Sequence, residues 1–410
     1  HHRPSMARLL VVGTGLAGIG AALEASRLGY EVAMIEAHRT LGGRGTSTTE
    51  EGWILDAGPH FLDLTGEIKQ WLDKSSKVKL ATRRIDSKRL QIIRDGTLQG
   101  VLGSPEAIKA HQIKGTDKKR LLSASRYLSS ELKNNPSLNT EEWIKGESQP
   151  FIDYIECLTI LNTWNQNLLP SSFPTIINSL KGKSLHVPLG GWAEVTGRFF
   201  SALDVLEVQI RSNSPLKRLV KDSSGKLRGA VLNRGVKVEA DAIVLAVPFA
   251  SVETILETSR MQVPAYENKP LKAIVWDLQL SMKAFEGVHA IWDSDRKVAL
   301  IMMSNIVPER LPEDFREDHS HLSFLSYNDK QSIESFLDER VQGWRKNIVN
   351  ERCLEDVVIS QSTAEEKEFE QPYLQQGLAF AGDWINGEGW LSERAFKSGV
   401  AAVQALHENL

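Results

Sequence analysis

The chain has 410 residues, enough for two domains that each bury a core. Its 49 Lys and Arg against 52 Asp and Glu give a net charge of −3, which leaves no electrostatic case for nucleic-acid binding. With 41% hydrophobic and 25% charged residues the composition is that of a soluble globule, and no apolar run approaches the roughly 20 residues of a membrane helix. Residues 9–12 then form a short, partly β-branched apolar run, as a buried parallel strand should. The run breaks into Gly13-Thr14-Gly15-Leu16-Ala17-Gly18, a G-x-G-x-x-G turn that opens a helix. Gly13 permits the tight turn, Gly15 lets the backbone approach a pyrophosphate, and Gly18 lets helix and strand pack closely. Gly18, Ala21, Ala22 and Ala25 fall at i, i+3, i+4 and i+7, a face of small residues for the sheet. A second strand over residues 31–35 ends in Glu36 and Ala37, about twenty residues past the first glycines. The carboxylate can accept from both hydroxyls of an adenosine ribose and would repel a 2′-phosphate, which disfavours NADP. This arrangement predicts dinucleotide binding.

Gly42-Gly43-Arg44 follows a few residues on. A Gly-Gly-Arg after the ribose acid resembles the flavoproteins of the amine oxidase and phytoene desaturase superfamily. The resemblance implies that this loop lies along the FAD pyrophosphate, with Gly13, Gly15, Leu16, Ala17, Gly18, Glu36, Ala37, Gly42, Gly43 and Arg44 as cofactor contacts. A hairpin is expected over residues 46–55 around Glu51-Gly52. Next comes Gly58-Pro59-His60, where the superfamily carries a loop beside the isoalloxazine, so His60 is a candidate both for cofactor contact and for catalysis.

From residue 65 to about 183 the strand–turn rhythm is expected to give way to helices, over 66–74, 118–133, 140–144 and 151–169. Thr140 with Glu141 and Glu142 reads as one helix start, and Lys118, Lys119 and Arg120 as a solvated basic face. Pro188-Leu189-Gly190-Gly191 resembles the segment that returns the chain to the FAD domain. A helix over 193–203 and strands over 206–210, 214–221, 226–233, 236–239 and 242–247 are expected after it. By the resemblance, the backbone of Leu216 contacts adenine. A strand at 272–276 places Lys272 where monoamine oxidases hold a water against flavin N5, so Lys272 is a second catalytic candidate. An edge lysine in water accounts for it equally well. His319 and His321 read as residues of a solvated acidic loop, with no metal expected.

Residues 378–383 form a short apolar strand ending in Gly382-Asp383, and Leu391-Ser392 opens a last helix to about residue 408. This is similar to the closing FAD motif of the superfamily, in which Gly382, Asp383, Leu391 and Ser392 would meet the cofactor. Leu391 stands where the amine oxidases place Tyr, and no Cys lies near this strand, so non-covalent FAD and the desaturase branch are implied. The two cysteines, Cys157 and Cys353, are far apart and suggest a reducing compartment. Residues 9–12 are too short for a signal-peptide core, so a cytoplasmic location is expected, with peripheral membrane contact left open.

The expected fold is α/β: a Rossmann-type, glutathione-reductase-like FAD-binding domain from residues 6–75, 187–260 and 370–410. A discontinuous mixed α+β substrate domain takes residues 76–186 and 261–369. The function implied is hydride removal from a C–H bond of an apolar, isoprenoid- or lipid-like molecule, with oxygen or a quinone as electron acceptor. Three alternatives stay open. One is a flavin amine oxidase yielding an imine and hydrogen peroxide, to which Lys272 points. The others are a flavin-dependent isomerase and a non-redox prenyl- or lipid-binding protein such as the Rab GDP-dissociation inhibitors.

Overall fold

The computed structural model describes residues 7–102, 120, 123–165, 171–267, 269–361, 369–385 and 387–410. One sheet is wholly parallel, in the order Gln209–Arg211, Glu31–Ile35, Arg8–Val12, Ala242–Leu245, Leu378–Phe380. Its central strands are continuous apolar runs because helices cover one face and a three-stranded meander the other. The meander comprises Leu216–Lys221, Leu227–Leu232 and Lys237–Glu239. The expected second strand and the helix Leu16–Arg27 form where the residue pattern placed them.

The last helix, Leu391–Glu408, crosses Leu16–Arg27 at backbone contact. A Cβ on Gly399 would stand 1.9 Å from the Ala17 carbonyl oxygen, and one on Gly20 would stand 2.4 Å from that of Phe396. Two rigid helices leave no flexible neighbour to give way. Gly399→Ala should therefore lower the unfolding free energy by about 1–3 kcal/mol, the range for overpacking. A urea midpoint equal to that of the native chain would mean that the helices are farther apart than this.

The second large sheet has seven strands, in the order Ile348–Ser360, Leu271–Leu280, Ser320–Ser326, Val298–Met302, Ala290–Asp293, Leu90–Arg94, Thr97–Gly100. All its neighbours are antiparallel except Ala290–Asp293 with Leu90–Arg94. This corrects the expectation of an unbroken helical region after residue 65. The pair Leu90–Arg94 and Thr97–Gly100 turns at Asp95-Gly96, both with positive φ, a hairpin signal that the local pattern does carry. Helices Ala124–Asn134, Thr140–Gly146, Gln149–Thr163 and Phe173–Leu180 cover one face of this sheet. The start at 140 is capped by Asn139 rather than Thr140: the Asn139 side chain accepts from the Glu142 N–H at 2.9 Å. Helix Gln149–Thr163 stops at Trp164, which adopts the left-handed conformation, and residues 166–169 of the expected segment lie outside the described residues. So do Lys118 and Lys119 of the basic run. Among the described residues no helix is long and apolar enough to cross a membrane.

Candidate active site

The glycine turn is held from below by the acid that ends the second strand. Glu36 Oε1 accepts from the Thr14 hydroxyl at 2.5 Å and the Thr14 N–H at 3.3 Å, and Oε2 accepts from the His38 N–H at 3.1 Å. Thr14 Oγ1 in turn accepts from the Gly42 N–H at 3.1 Å, so one threonine ties the turn to the Gly-Gly-Arg loop. Sequence reading passed over Thr14 because it fills a variable place in the motif; its signal is a short hydroxyl beside two glycines. The segment leading to Leu216 comes to the same place. The Ser214 N–H donates to the Glu36 carbonyl at 2.8 Å and the Asn213 N–H to that of His38 at 3.0 Å.

Gly15 and Gly43 meet back to back, a Cβ on Gly43 lying 3.1 Å from Gly15 Cα. Ala17 and Gly18 are buried in the first turn of the helix above. That helix starts at Leu16 with Gly15 as N-cap and no side-chain acceptor on its first amides. Side chains at 15 or 43 would fill the concavity that these amides border, and glycine leaves it open. Such a cradle fits a phosphate group. Ala37 continues from Glu36 at the edge of this group.

Arg44 runs the other way. Its Nη2 donates to Asp383 Oδ1 at 2.8 Å, and its Nη1 to the Ile359 carbonyl at 3.0 Å, at the end of strand Ile348–Ser360. Asp383 Oδ2 accepts from the Gln361 N–H at 3.0 Å. The closing acid thus meets an arginine directly. The Gly382 N–H donates to Ser398 Oγ, anchoring the Gly-Asp turn to the closing helix. Leu391 begins that helix with φ 54° and, like Phe61, Leu185 and Leu189, packs against the core that includes Val187 and Val275. Ser392 follows in the first turn, whose N-cap, Trp390, supplies no side-chain hydrogen bond. Glu393, the third residue, instead turns away and accepts from the Glu67 and Ile68 N–H groups, serving as the cap of helix Glu67–Ser75. Burial raises its carboxyl above the usual range, partly offset by those two amides.

Gly58, Pro59 and His60 face the seven-stranded sheet, with Gly58 Cβ space 3.6 Å from Val275. The His60 carbonyl accepts from Trp192 Nε1 at 3.0 Å, and its Nε2 is buried without a partner among the described residues. Burial depresses the His60 imidazole, Asp56 opposes that, and the positive Arg44 and Arg310 add to it.

A pocket behind this loop is lined by Asp56, His60, Asp277, Arg310, His321 and Ser323, with Phe61 and Met303 as apolar members. Asp56 Oδ2 and Arg310 Nη1 are 2.9 Å apart, with side chains only 5% and 1% exposed. Asp56 Oδ1 also accepts from Ser47 Oγ and from the Trp192 N–H that starts helix Trp192–Val205, while Arg310 donates to the Pro188 carbonyl. Across the pocket, His321 Nε2 lies 2.8 Å from Asp277 Oδ1, and Arg352 Nη2 lies 3.3 Å from Asp277 Oδ2. His321 is not in a solvated loop. It lies on strand Ser320–Ser326, 2% exposed and paired with Gln279; the strand is buried on both faces, and Leu322, Phe324 and Leu325 were the short apolar run that marks it. His319 alone stays near the surface, stacked on Phe315 beside Asp318.

Lys272 is not brought to this pocket. Side chains alternate along Leu271–Leu280, so Asp277 and Val275 share the pocket face while Lys272 takes the other. Its ammonium is half exposed and 3.3 Å from Asp356.

A family model for an NAD(P)-binding Rossmann-like domain matches residues 11–75. The phytoene desaturase (neurosporene-forming) of Rhodobacter capsulatus is 35% identical over 69 residues, 17% of this chain and 13% of that protein. The chain therefore aligns with about an eighth of the length of that relative. Over nearly the whole chain, an oxidoreductase from Methanosarcina mazei superposes with a TM-score of 0.72 at 17% identity, covering 97% of this chain and 99% of the other. The cyclohexylamine oxidase of Brevibacterium oxydans does so with a TM-score of 0.64 at 16% identity, covering 98% and 99%. The fold is shared with both of these proteins over nearly their whole length. In that fold the parallel sheet presents the glycine turn at its carboxyl edge, where a topological switch point opens a crevice for a dinucleotide. Thr14, Gly15, Glu36 and Gly42 stand at that edge.

Proposed function

We propose that the chain is an FAD-dependent oxidoreductase that takes a hydride from a C–H bond of a largely apolar, isoprenoid- or lipid-like molecule. The observation that carries this reading is the single line of groups from Glu36, through the glycine turn and Arg44–Asp383, to His60. Its successive chemistries suit a ribose, a pyrophosphate and a ring system in turn. FAD, when bound there, supplies the hydride acceptor. Glu36 and Leu216 would hold its adenosine end, and the first-turn amides with Arg44 its phosphates. Asp383, Gly382, Leu391, Ser392 and the Gly58–His60 loop would border the rest. Neither Cys157 in its helix nor Cys353 on the seven-stranded sheet belongs to that line, which supports non-covalent binding. Residues 6–75, 187–260 and 370–410 act as the cofactor unit, and 76–186 with 261–369 as the substrate unit. Phe61, stacked on Trp164, and Met303 give the substrate an apolar wall and keep water from the reacting carbon.

The purified protein should be yellow, and its flavin bands should bleach without oxygen when a lipid-like hydride donor is added. Glu36→Ala should raise the FAD dissociation constant by one to two decades, since losing a charged acceptor costs about 1.5–3 kcal/mol. Glu36→Asp should lose less. A protein that neither carries flavin nor takes it up when titrated would overturn the reading.

A further inference from the structure

The chain itself engages both carboxylate oxygens of Glu36. Oε1 accepts from the Thr14 hydroxyl at 2.5 Å and the Thr14 N–H at 3.3 Å, and Oε2 accepts from the His38 N–H at 3.1 Å. The direction of the hydroxyl bond is fixed by its other neighbour. The Gly42 N–H can only donate, so Thr14 Oγ1 accepts from it at 3.1 Å and turns its own hydrogen to Glu36. The two amides that reach Glu36 can likewise only donate, so both of its oxygens accept. Thr14 is 0% exposed and Glu36 7%, so water cannot replace these contacts. A buried donor left unmet costs more than a typical hydrogen bond contributes, which keeps the three contacts in place when a ligand binds.

A carboxylate offers about four lone-pair directions. The chain fills two on Oε1 and one on Oε2, and a single direction remains, on Oε2. The sequence allowed Glu36 to accept from both hydroxyls of an adenosine ribose; the structure leaves room for one. We propose, on the reading that FAD binds at this edge, that Glu36 accepts from only one ribose hydroxyl and that Thr14 decides this by filling Oε1. Thr14 is a positioning residue. Its one hydroxyl sets the ribose acid and the Gly-Gly-Arg loop as a unit, and in doing so it takes the seat of the second ribose donor.

Calorimetric titration of the full chain, stripped of flavin, with ADP, 2′-deoxy-ADP and 3′-deoxy-ADP reads each hydroxyl in turn. One deoxy form should bind about ten- to a hundredfold more weakly than ADP, the loss of one bond to a charged acceptor, and the other should bind as ADP does. Glu36→Ala should erase the difference between the two. Thr14→Val keeps the shape and removes the hydroxyl, so Oε1 opens and the deoxy form that the native chain tolerates should weaken as well. Thr14→Ser, which retains the hydroxyl, should restore the native pattern. If Thr14 served only the fold, Thr14→Val would weaken all three ligands together with their ratios unchanged, and that result would overturn the proposal. So would equal affinity of the native chain for the two deoxy forms, a result that needs no variant to fold. FAD uptake and bleaching are measured on the same preparation. One-hydroxyl selectivity in a chain that takes up no FAD would sink the oxidoreductase reading alone. A yellow, reducible protein with equal losses for the two deoxy forms would sink this proposal alone, and failure to bind ADP or FAD would sink both.

Discussion

Replacing Arg310 with methionine should cost the fold about 3–5 kcal/mol, the range for removing one partner of a buried ion pair. Arg310 is 1% exposed, and methionine fills much of its volume, so the loss comes from the charge left behind and not from a cavity. Asp56 would keep its bonds from Ser47 Oγ and the Trp192 N–H but lose the one cation that pairs with it among the described residues, and the Pro188 carbonyl would lose the Arg310 donor. The effect should reach beyond stability. Asp56 starts helix Trp192–Val205, and Thr196 in that helix donates to the Gly45 carbonyl beside the Gly-Gly-Arg loop. A second substitution, Asp56→Asn, removes the stranded charge, and the double variant should recover part of the loss in urea unfolding. A single variant within 1 kcal/mol of the native chain, by the scale of ordinary surface changes, would show that water reaches Asp56.

Asp383→Leu should raise the FAD dissociation constant by one to two decades, while Asp383→Asn should stay within about tenfold of the native protein. The leucine leaves the Gln361 N–H and Arg44 Nη2 without their acceptor, at roughly 1–3 kcal/mol. Arg44 is 38% exposed and recovers part of that from water, so the stranded amide and the freed arginine loop set the effect. With Asp383 gone, Arg44 keeps only its carbonyl partners on strand Ile348–Ser360, and the Gly-Gly-Arg loop loses its tie to the closing turn. Asparagine preserves one acceptor for one of the two donors. Titration of the flavin-free protein with FAD reads both variants, and native-like binding by Asp383→Leu would detach the Gly-Asp turn from the cofactor site.

How much of this was legible in the sequence depends on the range over which each decision is made. The glycine turn, the strand ending in Glu36 and the alternation of the meander are local. Each is fixed by backbone sterics and by a periodicity that a dozen residues display, so the elements fall where the pattern put them. The Asp95-Gly96 hairpin was equally local and was passed over in a stretch read as helical, although its strands carry a β-branched pair, Ile92-Ile93. His321 was misjudged for a different reason. Two histidines beside acidic residues look solvated until strand Ser320–Ser326 takes its place between Leu271–Leu280 and Val298–Met302.

What the sequence by itself determined is the nucleotide-binding half: a turn that only glycine can make, a helix of small residues and an acid at a set distance. What only the tertiary structure decided is which charges meet. Asp56 and Arg310 are paired across 254 residues and Arg44 and Asp383 across 339. Asp277 and His321 face the same pocket as His60, from a separate sheet. Lys272, on that same sheet, is turned out to water by the alternation of a single strand. An ion pair carries no periodicity along the chain. Its partners are chosen by which side chains are left inside once helices and sheets have packed, where an unpaired charge costs more than almost any local preference can supply.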